Sequence, residues 1–177
     1  MAVPSSPYSA PRESASASAL FLREGEVRRG VELLYFGYTR LTRSIDTGLS
    51  KQGLGRAHHR ALYFIARQPD LTVSELLKIL AITKQSLGRV INDLLARELV
   101  EARTGTADRR QKLLRLTDAG EALEAQLFDS LRESLAAAYG AAGQESVTGF
   151  WRVLEGLIPP DERDMVTSLQ HESYKSR

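Results

Sequence analysis

The strongest constraint on the fold lies between Thr72 and Leu116, where the spacing of apolar residues changes character. Up to Leu95 they recur with a helical period of about 3.6 residues; from Val100 they alternate with polar ones, the period of about 2 that a half-buried strand requires. Thr72-Val73-Ser74-Glu75 is a capping box, in which the Thr72 hydroxyl accepts from the Glu75 amide while the Glu75 carboxylate reaches back. The helix it opens carries Leu76, Leu77 and Leu80. After a tight Ala81-Ile82 connection, Thr83 is positioned to cap a second helix with Leu87, Val90, Ile91, Leu94 and Leu95 on one face. Val100 and Ala102 then alternate with Glu101 and Arg103, and Leu114 and Leu116 with Leu113 and Arg115, on either side of the loop 104–111. Two short capped helices followed by a hairpin with a long basic tip make a winged helix-turn-helix. The expected fold class is mainly α with a small β wing.

What flanks this lobe (54–118) reads as a helical dimerisation frame. Val27, Val31, Leu34, Tyr38, Leu41 and Ile45 are spaced 4, 3, 4, 3, 4, a heptad-like stripe on one long helix within 20–53. Gly25, Gly30 and Gly37 weaken that helix, so packing must hold it. After the wing, 119–158 holds a long helix with Leu123, Leu127, Leu131 and Leu135, then another with Val147, Phe150, Trp151 and Leu154, ended by Pro159. Residues 1–19, rich in Ser, Ala and Pro, read as a disordered arm, and 159–177 as a polar tail with little order. The apolar stripes at the two ends exceed what the small lobe can cover, which predicts a homodimer.

Composition narrows the function. Net charge is only +2, but Lys84 to Arg115 holds eight basic and four acidic residues, a localised basic patch on a near-neutral frame. There is no cysteine, which excludes disulfides and thiolate metal sites. No apolar run reaches membrane-span length, and the start of the chain lacks the pattern of a signal peptide, so a cytoplasmic location is expected. No catalytic constellation or phosphate loop is present, so no enzyme activity and no cofactor are expected. His58 and His59 are neighbours that point about 100° apart on a helix and have no further ligand at suitable spacing, so no metal site is expected.

At the wing the pattern becomes specific. Asp108-Arg109-Arg110-Gln111-Lys112-Leu113-Leu114-Arg115-Leu116-Thr117-Asp118-Ala119-Gly120 fits D-x-R-x-x-x-L-x-L-T-x-x-G at every fixed position. It resembles the wing-to-helix signature of the MarR family of bacterial regulators. Leu94 to Val100 is similar to that family's passage from recognition helix to wing, and Ile82 to Val90 is similar to the branch called PetP. Glu98 departs from the pattern, since the family often has Gly there. The resemblance implies a homodimer whose first, fifth and sixth helices interlock, and two winged helix-turn-helix lobes spaced to read a pseudo-palindromic operator. It also implies that a small-molecule effector can bind between the frame and the lobe.

The candidate DNA-binding residues follow. The inward apolar face of the helix 83–97 turns Lys84, Gln85, Gly88, Arg89 and Asn92 outward. Gln can pair with adenine through both amide atoms, and Arg with guanine or phosphate. Thr83 and Ser86 can donate to phosphate, and Gly88 removes a side chain where DNA approaches the backbone. In the wing, Arg109, Arg110 and Lys112 are the cations, with Arg110 aimed at a narrow minor groove. Asp108 repels phosphate, and a salt bridge orienting Arg109 or Arg110 is the expected reason for it. The resemblance makes Tyr35, Tyr38, His58, His59 and Tyr63 candidates to line an effector pocket; as residues alone they more often read as core or interface packing. The function expected is sequence-specific binding of double-stranded DNA in transcription regulation, as repressor or activator. The rivals are a winged-helix protein-interaction module, which has no need of a basic wing, and a non-specific architectural DNA binder.

Overall fold

The computed structural model describes residues 23–105 and 108–172. The expectation of a disordered arm over 1–19, the wing residues 106 and 107, and the last five residues lie outside them. The chain divides into two units, one ending at Arg40 and the other beginning at Leu41. The first unit is helix α1 (Glu24–Arg43) up to that boundary, with an Arg28–Glu24 pair one turn apart. Its Val27, Val31, Leu33, Leu34, Tyr35, Phe36 and Tyr38 are all exposed.

The single long helix expected over 20–53 is two helices. The Ser44 hydroxyl donates to the Leu41 carbonyl at 2.6 Å, α1 ends there, and α2 (Asp46–Lys51) follows with Asp46 in its first turn. Ile45 and Leu49 are buried in the core of the second unit instead of lying on an outer stripe. That core continues through α3 (Arg56–Arg67), β1 (Leu71–Thr72), α4 (Val73–Leu80), α5 (Lys84–Ala96), β2 (Val100–Thr104), β3 (Lys112–Leu116) and the first turns of α6 (Asp118–Ala142). Its largest fully buried members include Leu62, Ile65, Leu76, Leu87, Leu94, Leu114 and Leu127. Leu123 and Leu127, expected at a subunit interface, therefore belong to the lobe's own core.

The sheet has the order β1-β3-β2, all antiparallel, with Leu71 opposite Leu114 and Val100 opposite Leu116. The two-residue strand β1 carries no alternation of its own and was not expected. The caps expected at Thr72 and Thr83 are present, and Thr117 caps the helix after the wing. Thr72 and Glu75 form both bonds of the capping box, Thr83 Oγ1 accepts from the Ser86 amide at 3.1 Å, and Thr117 Oγ1 accepts from the Gly120 amide at 3.1 Å. Beyond the lobe, α6 pairs with α7 (Gln144–Leu157), where the Trp151 indole donates to the Tyr139 hydroxyl at 3.1 Å.

The polar tail expected after Pro159 contains a helix, α8 (Pro160–Glu172). Pro160 stands first in it, where a missing N–H is harmless, and Asp161 and Glu162 oppose the positive end of the helix dipole. Arg67 reaches across to donate to the Leu169 carbonyl at 2.5 Å.

Candidate nucleic-acid interface

Helix α5 is built to present one face. Leu87, Val90, Ile91 and Leu94 anchor it in the core, and the opposite side carries the exposed Lys84, Gln85, Ser86, Arg89 and Asn92. A Cβ placed on Gly88 would meet nothing within 4 Å, so the internal packing does not require glycine there. The Thr83 hydroxyl caps the helix and also donates to Ser86 Oγ at 2.9 Å, which leaves the outward proton with Ser86 and removes Thr83 as a free donor. The turn from α4 into α5 passes through Ala81 in the left-handed region, φ 49°.

The wing signature can be read residue by residue. Asp108 Oδ1 accepts from the Arg110 backbone N–H at 2.9 Å, while Gln111 N–H donates to the Asp108 carbonyl and Gly105 N–H to the Gln111 carbonyl, both at 3.0 Å. Asp108 thus shapes the loop through the backbone, and no ion pair among the described residues involves it; the expected salt bridge to Arg109 or Arg110 is replaced by this cap. Leu114 and Leu116 are buried. Thr117 donates to the Glu98 carbonyl at 2.6 Å while capping α6. A Cβ on Gly120 would lie 2.0 Å from the Leu99 carbonyl oxygen, so only glycine lets the start of α6 approach the turn between α5 and β2 this closely. Glu98, where the related pattern has Gly, stands at φ 57°.

Arg110 is the fixed position of this signature whose side chain has no hydrogen bond or ion pair among the described residues. The same distinction sorts the whole basic patch. Arg97 pairs with Asp93, Arg103 with Glu101 and Arg115 with Asp70. The Asp70 carboxylate raises the Arg115 pKa, and the Arg97 guanidinium, with His58 behind it, holds the Asp93 carboxyl below its usual range. Five of the eight cations counted above stay unpaired among the described residues, namely Lys84, Arg89, Arg109, Arg110 and Lys112. All five are exposed, on the outer face of α5 and at the wing tip.

The five pocket candidates fall in different surroundings. Tyr35 and Tyr38 are exposed on α1. His58 accepts from the Gly55 N–H through Nδ1 at 3.1 Å and meets Asp93 through Nε2 at 3.0 Å, so it closes a local network. His59 is buried beside Tyr63, with ring centroids 6.3 Å apart, and burial lowers its pKa. The His59 Nε2 has no hydrogen-bond partner among the described residues. Tyr63 in turn lies 6.2 Å from Phe128 of α6. The His58–Asp93–Arg97 network carries a sequence signal only in its Asp93–Arg97 spacing of one helical turn; the link from α3 to α5 is tertiary. Among the described residues there is no cluster of three or more potential metal ligands, and no helix is long and apolar enough to cross a membrane.

Comparison with known proteins places these features. A model of the MarR family matches residues 52–111, which run from the end of α2 through the wing loop. The chain is 44% identical over 144 residues to the HTH-type transcriptional regulator PetP of Rhodobacter capsulatus, covering 81% of this chain and 87% of that protein. A mutant MarR from E. coli complexed with operator DNA shares the fold with a TM-score of 0.61 and 21% identity, over 76% of this chain and 96% of that one. BpsR of Bordetella bronchiseptica, solved to explain regulation of its DNA binding by 6-hydroxynicotinic acid, gives a TM-score of 0.59 and 22% identity, over 73% and 98% of the two chains.

Proposed function

The chain belongs to the MarR family of DNA-binding transcriptional regulators, a family of regulators and not of enzymes, and from that premise we propose that it reads a pseudo-palindromic operator in duplex DNA as a homodimer. Helix α5 enters the major groove, where Gln85, Arg89 and the neighbouring Lys84 and Ser86 meet base edges and phosphates. Gly88 lets the backbone approach. The wing tip lies along the minor groove with Arg110 inserted and Arg109 and Lys112 on phosphates.

The observation that carries this reading is the division of labour within the wing signature. Asp108, Leu114, Leu116, Thr117 and Gly120 each have an internal task, and the Arg110 side chain has none among the described residues. A guanidinium held in place by such a frame and left without a carboxylate is suited to an external anion. A protein-interaction module gains nothing from a basic patch with five cations unpaired among the described residues, and a non-specific binder gains nothing from the Gln85 amide and the space at Gly88.

The homodimer is supported by the exposed Val27, Val31, Leu34, Phe150, Trp151, Val153 and Leu157. The effector is a small organic molecule bound beside the buried His59 and Tyr63, a reading supported by the partnerless Nε2 there and by the regulated relative BpsR. Selection from a randomised duplex library should return a two-fold-symmetric sequence with half-sites about one helical turn apart. If no sequence is enriched, the operator reading fails.

A further inference from the structure

The hydrogen bonds that join His58, Asp93 and Arg97 form a ring. Gly55 N–H donates to His58 Nδ1 at 3.1 Å, which places the ring proton on Nε2, and Nε2 meets Asp93 Oδ2 at 3.0 Å. Arg97 Nε donates to Asp93 Oδ1 at 2.8 Å, and Arg97 Nη1 returns to the Gln52 carbonyl at 2.7 Å. The ring therefore begins and ends in the turn between α2 and α3, and it grips α5 at Asp93, one turn beyond Arg89. None of its three side chains is part of the hydrophobic core.

We propose that His58 is a positioning residue for DNA reading: through Asp93 it sets the roll of α5 about its own axis, and so the direction in which Gln85 and Arg89 point. The proposal rests on the DNA-reading role of α5 given above. The core fixes how deep α5 lies, but contact between Leu87, Val90, Ile91, Leu94 and their neighbours is not directional, whereas hydrogen bonds are. A hydrogen-bonded helix transmits roll along its length. With a side-chain radius of about 5–6 Å, a roll of about 10° moves a tip by about 1 Å, more than a bidentate base contact tolerates.

The test uses the full-length protein, a duplex selected by the wild type from a randomised library, and a scrambled duplex of equal length. Affinities are read by fluorescence anisotropy at low salt. His58→Leu should lower affinity for the selected duplex about tenfold, within the range coupled neighbours show, and leave the scrambled duplex unaffected, since phosphate contacts do not depend on small changes of roll. His58→Gln, which retains an amide donor toward Asp93, should recover most of the loss. In a Gln85→Ala background His58→Leu should do less harm than in the wild type, because the contact it misaligns is already gone. Arg97→Met opens the ring on its other side and should narrow the same ratio, which covers the case that His58→Leu folds poorly. Equal losses on both duplexes, no loss on either, or strict additivity with Gln85→Ala would overturn the positioning role. A wild type that prefers no selected duplex would instead remove the reading of α5 on which the proposal rests.

Discussion

In the proposed reading, Gly88 and Arg110 are residues whose chemistry serves the bound state more than the free one. Glycine inside a helix is less stable than alanine by up to about 1 kcal/mol, and nothing in the lobe surrounds Gly88 to justify it. Gly88→Ala should therefore raise the melting temperature while weakening operator binding; a stabilised variant that binds as well as wild type would show that DNA does not approach there. Arg110→Ala should weaken operator binding by roughly 1–3 kcal/mol with thermal stability unchanged. Gly120 is the opposite kind of residue. Its missing Cβ makes room for the Leu99 carbonyl, so Gly120→Ala should destabilise the fold by about 3 kcal/mol and lose binding only through unfolding. His59 adds a pH signature. Burial holds its folded pKa below the ordinary value of about 6.5, so the unfolded chain takes up a proton that the folded chain refuses. The contribution of His59 is complete above that unfolded value and is lost as pH falls through the folded one. His59→Phe should flatten this acid-side fall in melting temperature, and an unchanged pH profile in the variant would remove the assignment.

At the scale of elements, what was legible in the sequence is what local chemistry dictates. The capping box at Thr72, the cap at Thr83, the apolar face of α5 and the alternation in β3 are all local, and the structure has each of them, whereas in β2 only Val100 is buried and Ala102, expected on the same face, is exposed. Some of the readings that changed depend on contacts distant in sequence. β1 is two residues made into a strand by β3, so it has no period to read. Leu123 and Leu127 carry the same four-residue spacing whether they face a partner or their own lobe, and only the packing of α6 on the core decides. Asp108 was legible as an anomaly in a basic loop, but an ion pair and a backbone cap leave the same letters in the sequence. Glu98 marks a junction where the local preference is overridden. A side chain at φ 57° is strained relative to glycine, so Glu98→Gly should stabilise the lobe by roughly 0.5–1 kcal/mol in denaturant unfolding without changing operator affinity.

For the whole molecule, the proposed dimer would cover exposed apolar residues at both ends of the chain. The exposed apolar residues lie on α1 and on the α6–α7 pair, and the core of the lobe is complete without them. This separates two substitutions that look alike in sequence. Leu127 is 2% exposed, so Leu127→Glu buries a charge in the core and should unfold the lobe. Leu34 is 40% exposed and Val153 62% exposed, so Leu34→Glu with Val153→Glu should leave the lobe folded and drive the protein to a monomer. Binding should fall with it, because two recognition helices about 34 Å apart are what match successive major grooves. Charge gives the independent check. With five cations of the basic patch unpaired among the described residues of each subunit, a dimer that neutralises about eight phosphates should show log K falling against log salt with a slope of about −7. The monomeric variant, with half the contacts, should show a slope of about half that. Sedimentation velocity at low micromolar concentration and salt-dependent anisotropy read the two quantities on the same samples. A wild type that sediments as a monomer yet keeps the steep slope would mean that the exposed helices serve another partner and that one lobe alone carries the phosphate contacts.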